Sequence, residues 1–195
     1  GEWHSGLSWS LSIDGKTFSK RFGPHFAVDG DYTIKKRLLR RSIRPTPEGD
    51  GLTLTAEVQV ADQKPFEFNS VIRIVNGTIH HTADASLNET SKISVVIDLA
   101  MKDKAFAVDH YSLDGKREAV NVSIDSTSVS IVKGKTLGLY GHGDDSQLAV
   151  RSPINTMLAK FFQRGERHGE VSLLLKTAET SANRFDVTLD PTSLM

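Results

Sequence analysis

Two adjacent histidines, His80 and His81, follow an Asn-Gly turn in the stretch RIVNGTIHHTAD, residues 73–84. Imidazole is the commonest metal-binding side chain in proteins and a general base near neutral pH. The residues after the turn alternate between apolar and polar types, which predicts a β-strand whose successive side chains lie on opposite faces. One metal ion therefore cannot bind both histidines through an unbroken strand. We expect His81 to be partly buried and hydrogen-bonded, and His80 to lie on the polar face.

A glycine-rich loop, TLGLYGHGDDSQ at residues 136–147, is the strongest candidate for chemistry. Glycines on either side of Tyr140 and His142 let a ligand approach the backbone closely. His142 and Asp144 could act as a base and the group that orients it, or Asp144 and Asp145 could help to hold a structural Ca²⁺. A flexible polar hairpin loop without a ligand is the alternative. We expect a ligand site at this loop, with Tyr140 and His142 as its main contacts and Asp144 beside them.

Aromatic side chains outside the expected core would complete a sugar-binding site. Trp3 near the first residue, Tyr111 ahead of a turn and Tyr140 in the glycine-rich loop are the three exceptions to core positions. Their flat faces suit the C–H faces of sugar rings, while their polar tips suit hydroxyl groups. Trp9 alternates in phase with neighbouring leucines, and we expect it in the core.

The run KKRLLRRSIR, residues 35–44, contains six cations. On a strand, alternation would divide five of these cations between two faces: Lys36 and Arg40 on one, and Lys35, Arg37 and Arg41 on the other. Such charge commonly keeps an edge strand from pairing with other molecules. The functional alternative is a patch for an acidic polysaccharide or a sulfated sugar, because Arg forms paired hydrogen bonds with carboxylate-like and sulfate-like oxygens.

Apolar and polar residues alternate with a period of two along most of the chain. The pattern recurs at residues 7–13, 52–60, 66–75, 92–99, 118–124, 127–132, 170–177 and 184–190. It predicts antiparallel strands with one face on a core and the other in water. Three dipeptides, Asp14-Gly15, Asn76-Gly77 and Asp114-Gly115, have the residue types of type I′ hairpin turns. We therefore expect an all-β protein, a two-sheet antiparallel β-sandwich.

One segment, SPINTMLAKFFQRGERHG at residues 152–169, departs from this alternation. Ser152 can cap a helix, Pro153 suits the first helical position, and Gly165 can end the helix. The apolar residues then fall on one side at helical spacing: Ile154, Met157, Leu158, Phe161 and Phe162. We expect one short helix over residues 153–163, with a strand as the weaker alternative.

Length and composition limit the classes of protein to which the chain can belong. The chain has 195 residues, a hydrophobic content of 38% and a charged content of 25%, which fits one globular domain over residues 1–195. Its net charge of +0 gives no global attraction to nucleic acid or to an anionic membrane. The absence of cysteine excludes disulfides, thiolate metal sites and a cysteine nucleophile. No apolar run approaches the roughly 20 residues that span a bilayer. We interpret the chain as a mature protein or an excised domain.

The strand-rich pattern resembles the β-sandwich carbohydrate-binding modules and accessory domains of polysaccharide-degrading enzymes. The resemblance covers most of the chain and rests on architecture. It implies a jelly-roll-like sandwich and a non-catalytic module that binds a polysaccharide or oligosaccharide through aromatic and polar side chains. It also implies attachment to a catalytic domain and an extracellular or periplasmic location.

Two other functions stay open on the sequence alone. The stretch GLTLTAEVQVADQKPFEFNSVIRIVNGTI, residues 51–79, is similar to the body of aldose-epimerase-like and lyase-associated sandwiches. A carbohydrate-active enzyme of this kind needs a His/carboxylate set, and His142 with Asp144 is the only compact candidate in the sequence. The third possibility is an adhesive or structural domain with a protein partner. Fold alone does not choose among the three.

Overall fold

The computed structural model describes residues 6–101, 108–119, 130–141, 147–163, 171–177 and 184–191. Within these residues fifteen strands form two sheets, in which all neighbouring strands are antiparallel. The six-stranded sheet has the order β1 (Trp9–Ile13), β2 (Lys16–Val28), β7 (Ile93–Met101), β14 (Val171–Thr177), β13 (Met157–Gln163) and β10 (Ser130–Gly134). The expected all-β class with two antiparallel sheets is confirmed.

The nine-stranded sheet carries most of the hairpins. Its order is β3 (Lys36–Pro45), β4 (Gly51–Val60), β5 (Phe66–Val75), β6 (Thr78–Ala85), β15 (Arg184–Asp190), β12 (Gln147–Arg151), β11 (Thr136–Gly141), β8 (Val108–Leu113) and β9 (Lys116–Ala119). Strands β3 to β6 are consecutive in the chain and adjacent in the sheet. A jelly roll instead combines two Greek keys, whose long connections bring distant strands together. Distant strands are also paired, since β6 lies beside β15 and β2 beside β7, and the jelly-roll-like connectivity stays a prediction.

The three predicted hairpin turns are confirmed by their backbone angles. Both residues of each turn have positive φ, between 46° and 93°, in Asp14-Gly15, Asn76-Gly77 and Asp114-Gly115. A type I′ turn needs positive φ at both central residues, which Asn, Asp and Gly tolerate best. These turns join β1 to β2, β5 to β6 and β8 to β9, so they set the register of three hairpins.

The hydrophobic core lies between the inner faces of the two sheets. Phe26 of β2 packs edge-on against Phe66 and Phe68 of β5, with ring centroids 5.3 and 5.8 Å apart. Burying a side chain of this size contributes roughly 1.5–3 kcal/mol. The predicted alternation is confirmed on β4, where every second residue is buried: Leu54, Ala56, Val58 and Val60. The intervening residues of β4 lie on the outer face of the nine-stranded sheet, which is polar.

The helix expected over residues 153–163 is wrong. Ser152 does act as a cap, since its Oγ accepts a hydrogen bond of 2.9 Å from the backbone N–H of Asn155. Only a turn follows, and Ile154 is 56% exposed instead of facing a core. From Met157 the chain pairs with β10 on one side and β14 on the other, so two ladders of hydrogen bonds outweigh the helical spacing. Within the described residues, no helix is long and apolar enough to cross a membrane.

Candidate functional site

The predicted loop site lies mostly outside the described residues. Trp3, His142 and Asp144 fall outside them, so their roles remain predictions. Tyr140 lies on β11, where its backbone pairs with Gln147 of β12 and with His110 of β8. The structure therefore places one member of the predicted site, two residues before His142.

Tyr111, another predicted contact, packs against the hydrophobic core and is only partly buried. Its hydroxyl donates a hydrogen bond of 2.7 Å to Glu118 Oε2 on the neighbouring strand β9. This bond to a carboxylate raises the pKa of Tyr111. In the sheet Tyr111 pairs with Leu139, the residue before Tyr140, so the two tyrosines take alternating positions of the pleat.

His80 and His81 lie on opposite faces of β6, as predicted. His81 is fully buried, and its Nε2 lies 2.8 Å from Ser70 Oγ. Trp9 Nε1 donates a 3.1 Å hydrogen bond to the same hydroxyl oxygen. Because the Ser70 hydroxyl accepts from Trp9, its own proton is available to donate to His81 Nε2. Burial lowers the pKa of His81 from 6.5 to about 3. His81 is therefore a neutral core residue, in ring contact with Phe22 at 4.5 Å between centroids. Trp9, which we expected in the core, packs against the core and is partly buried.

No metal site is found in the described part of the chain, where no three His, Cys, Asp or Glu side chains are grouped closely enough to hold an ion. The Ca²⁺ expected at Asp144 and Asp145 falls outside these residues. It therefore stays a prediction.

The basic run forms β3, at one edge of the nine-stranded sheet, so its predicted edge position is confirmed. A register shift between Leu38 and Arg40 marks a β-bulge. Arg37 and Arg40 both pair with outer-face residues of β4, whereas Lys36 and Arg41 pair with its core-facing residues. The expected placing of Lys36 and Arg40 on one face is therefore wrong. The extra residue of a bulge reverses the alternation of the residues that follow it.

Four exposed arginines of β3 differ in how their charge is compensated. Arg40 Nε lies 2.8 Å from Glu57 Oε2, and Arg41 Nη1 donates to a backbone carbonyl of the N-terminal segment at 3.0 Å. Among the described residues, the guanidinium groups of Arg37 and Arg44 have neither a hydrogen bond nor an ion pair. The two uncompensated cations thus lie near opposite ends of β3.

A groove of about 450 Å³ lies at the end of β3 and β4 nearest their hairpin turn. Its lining combines hydroxyl groups, one guanidinium and one apolar ring: Ser42, Arg44, Pro45, Thr53 and Thr55. Ser42 pairs with Thr55, and Arg44 pairs with Thr53. Direct cross-strand neighbours on one face of a sheet lie about 5 Å apart and diagonal ones about 7–8 Å, so Thr53 is the nearest of the three hydroxyl residues to Arg44, and Ser42 and Thr55 lie farther along the same face. The volume lies within the range of small-molecule sites.

The hairpin that carries the groove is held by an ion pair and a close backbone contact. Asp50 Oδ2 lies 2.7 Å from Arg73 Nη2, and Asp50 Oδ1 accepts a bond of 2.9 Å from Thr46 Oγ1. The bond from Arg73 is the main cause that lowers the pKa of Asp50. Gly51 fits only without a side chain, because an added Cβ would lie 2.0 Å from the carbonyl oxygen of Ile72. These contacts fix the hairpin, so the groove has its shape before a ligand binds.

A charged cluster that sequence reasoning missed lies on β2 and β7 of the six-stranded sheet. Asp98 Oδ2 accepts hydrogen bonds from His25 Nδ1 at 3.1 Å and from Arg21 Nη2 at 3.3 Å. Asp98 is 2% exposed, and its other oxygen has no partner. Register brings the three together, since Asp98 pairs with Gly23, which lies between Arg21 and His25. The expectation that His142 and Asp144 are the only compact His/carboxylate pair is therefore wrong. His25 and Asp98 are 73 positions apart in the sequence, and the pairing of β2 with β7 brings them together.

Comparisons with known proteins give a fold and no family. No protein-family model matches the chain, and no curated protein sequence matches it. Among solved structures, the Slr1438 protein from Synechocystis sp. PCC 6803 aligns with a TM-score of 0.57 and 10% identity. That alignment covers 96% of this chain and 88% of Slr1438.

Two larger enzymes contain a similar arrangement. The 4-alpha-glucanotransferase from Thermococcus litoralis aligns with a TM-score of 0.51 and 8% identity, over 96% of this chain and 29% of the enzyme. A mutant of heparan sulfate lyase HepC from Pedobacter heparinus aligns with a TM-score of 0.51 and 10% identity, over 94% of this chain and 30% of the lyase. The chain thus spans less than a third of each enzyme. At such identities the likeness shows fold alone, an all-β architecture shared with parts of two carbohydrate-active enzymes.

Proposed function

We propose that this protein is a non-catalytic carbohydrate-binding domain that holds an acidic polysaccharide in the groove between β3 and β4. The observation that carries the proposal is the setting of Arg44. Its guanidinium is exposed, has no partner among the described residues, and lies in a groove with three hydroxyl groups.

The groove chemistry suits a sugar that bears a negative group. A guanidinium binds carboxylate-like or sulfate-like oxygens through two parallel hydrogen bonds, which makes the contact strong and directional. The hydroxyls of Ser42, Thr53 and Thr55 can each donate and accept, as the hydroxyl groups of a sugar ring require.

The architecture supports the same ligand class. Two structural neighbours are by their names a glucanotransferase and a heparan sulfate lyase, and this chain matches about 30% of each. A domain of this fold attached to a polysaccharide-degrading catalytic domain would keep the enzyme on its substrate by raising the local concentration. A polysaccharide ligand implies an extracellular or periplasmic setting.

The glycine-rich loop is a further place for glycan contact. Tyr140, His142, Asp144 and Trp3 would add ring stacking and hydrogen bonds to those of the groove. Affinity per site would be weak, micromolar to millimolar, because few contacts offset the cost of immobilising the ligand.

A second candidate function, a carbohydrate-active enzyme, is favoured by the His25–Asp98 pair. A carboxylate bonded to Nδ1 fixes the imidazole tautomer and orients the ring, as a general base requires. Incubation of the wild-type protein with heparin distinguishes the two functions. Release of new sugar ends that is lost in His25→Gln would favour the enzyme, and its absence would favour the binding domain.

Affinity electrophoresis of the wild-type protein tests the proposed function. Native gels would contain heparin, polygalacturonate or neutral dextran, with bovine serum albumin as a non-binding reference. We expect retardation by the two acidic polymers, weakening as salt is added because exposed charge pairs are screened, and none by dextran. Equal mobility in all three gels would overturn the proposal.

A further inference from the structure

A second cavity lies beyond the end of β4 that is farther from the groove. It has a volume of about 230 Å³ and lies between the loop 61–65, which joins β4 to β5, and the segment 86–91, which follows β6. Its lining includes amide, hydroxyl and charged side chains: Asp62, Gln63, Lys64, Ser86, Asn88 and Thr90. Such a mixture of donors and acceptors matches a polyhydroxylated ligand. We call this cavity the loop pocket.

Hydrogen bonds hold both walls of the loop pocket in place. The backbone N–H of Gln63 donates to the carbonyl of Val60 at 3.0 Å. On the other wall, Thr90 Oγ1 donates to Asn88 Oδ1 at 3.1 Å, and the N–H of Ser91 donates to the Asn88 carbonyl at 3.0 Å. A ligand would therefore meet a formed pocket and would not have to order the loops itself.

The loop pocket is connected to the basic strand through β4. Gln59 pairs with Arg37 across the two strands, and Gln59 Nε2 donates to the carbonyl of Gln63 at 3.3 Å. The N–H of Ala61 also donates to the carbonyl of Lys35 at 2.7 Å. Gln59 thus connects Gln63, a lining residue of the loop pocket, with Arg37, one of the two β3 arginines without a side-chain partner among the described residues.

The groove and the loop pocket thus lie toward opposite ends of β4, the neighbour of β3. Arg44 lines the groove, Arg37 lies at the end of β3 nearer the loop pocket, and Arg40 lies between the two arginines on the same face of the sheet. Arg44 lies seven positions after Arg37, a distance of roughly 23 Å at the usual rise per residue. That length accommodates several linked sugar rings.

We propose that the loop pocket is a second carbohydrate subsite, and that one acidic polysaccharide chain lies along β3 between it and the groove. This inference rests on the proposed function. Arg37 meets an acidic group of the chain along β3, and Lys64 meets another at the loop pocket, while Arg40 keeps its ion pair with Glu57. The domain then recognises an extended internal stretch of polymer in preference to a single sugar.

Calorimetric titration with heparin-derived fragments of two, four, six and eight sugar units tests this inference. The proteins are the wild type, Lys64→Glu at the loop pocket, and Lys135→Glu, an exposed lysine outside both cavities. Because engagement of a second subsite is intramolecular, we expect affinity to rise by at least about tenfold between the shortest and longest fragments. Lys64→Glu should remove most of this rise, and Lys135→Glu should leave it unchanged.

The outcomes separate this inference from the proposed function. If all fragments bind the wild type equally, or if Lys64→Glu and Lys135→Glu behave alike with the longest fragment, the extended-chain inference is overturned while binding at the groove stands. If no fragment binds, both are overturned.

Discussion

Ser70 Oγ and His81 Nε2 lie 2.8 Å apart in the core between the two sheets, on the adjacent strands β5 and β6. Trp9 of the six-stranded sheet donates to the same Ser70 oxygen, so one short polar chain links the sheets. This chain satisfies Nε2 of the buried His81, as a buried polar group requires, whereas its Nδ1 has no hydrogen-bond partner among the described residues. It also removes His81 from consideration as a metal ligand or a catalytic base.

The buried His81 should make stability depend on pH. Its folded-state pKa of about 3 lies below the ordinary 6.5, so between these values the unfolded chain binds a proton that the folded protein does not. Stability should therefore fall as pH falls, by about 2–3 kcal/mol between about pH 7.5 and about pH 4.5 from this residue. Urea unfolding of the wild type and of His81→Gln at several pH values measures this loss of stability. The difference between their unfolding free energies should become smaller as pH falls.

The matched control for this prediction is His80→Gln, on the partly exposed opposite face of the same strand. It should keep the acid dependence of the wild type. If His81→Gln keeps it as well, the depressed pKa of His81 is not the cause.

Loss of the Asp98 carboxylate should destabilise the six-stranded sheet. Asp98 is almost fully buried and accepts bonds from Arg21 and His25, and a hydrogen bond to a charged group contributes about 1.5–3 kcal/mol. We expect Asp98→Asn to lower the free energy of unfolding by about 2 kcal/mol. The exposed Glu89→Gln should change it by less than about 0.5 kcal/mol in the same urea titration. Equal stability of the two variants would contradict a structural role for the cluster.

A methyl group at Gly51 should disturb the hairpin that carries the groove. An added Cβ would lie 2.0 Å from the Ile72 carbonyl oxygen, a backbone atom that cannot swing away. We expect Gly51→Ala to cost about 2–3 kcal/mol of unfolding free energy. Gly49→Ala, in the same turn at φ +75° but with open space around it, should cost only about 1 kcal/mol. Thermal or urea unfolding measures both, and the reverse ranking would show that the close contact at Gly51 is relieved by a backbone shift.

The glycine-rich loop makes a separate prediction. If Tyr140 and His142 contact the glycan, their combined replacement by alanine should weaken heparin binding by about tenfold, since stacking and one hydrogen bond together contribute roughly 1–2 kcal/mol. Calorimetry on a variant whose far-ultraviolet circular dichroism matches the wild type measures the effect. Undiminished binding would confine the site to β3 and its neighbours.

The sequence predicts the parts of this fold that depend on local chemistry. Alternation on β4 and the three positive-φ dipeptides are local signals, and both have the expected structural outcome. The opposite faces of His80 and His81 follow from the same period of two. The run 35–44 is recognisable as an edge strand because four exposed arginines are tolerated where no further strand pairs.

The remaining features depend on pairing between distant segments. Helical spacing around Met157 is overridden because β10 and β14 flank that segment on both sides. The bulge near Leu39 has no local signal, so the faces of Lys36 and Arg40 could not be assigned. His25 and Asp98 are brought together only by the register of β2 and β7. The groove needs the pairing of Arg44 with Thr53, which is likewise invisible in the sequence alone.

The most direct test of the account is the affinity of Arg44→Ser for heparin, measured by titration calorimetry beside Arg117→Ser. Both replacements remove one exposed arginine from an edge strand of the same nine-stranded sheet, β3 in one case and β9 in the other, so the change in net charge is equal. The account predicts that Arg44→Ser weakens binding by at least about tenfold, the loss of one charge-assisted contact, while Arg117→Ser stays within about twofold of the wild type. Equal affinities of the two variants would contradict a carbohydrate site at the β3 groove.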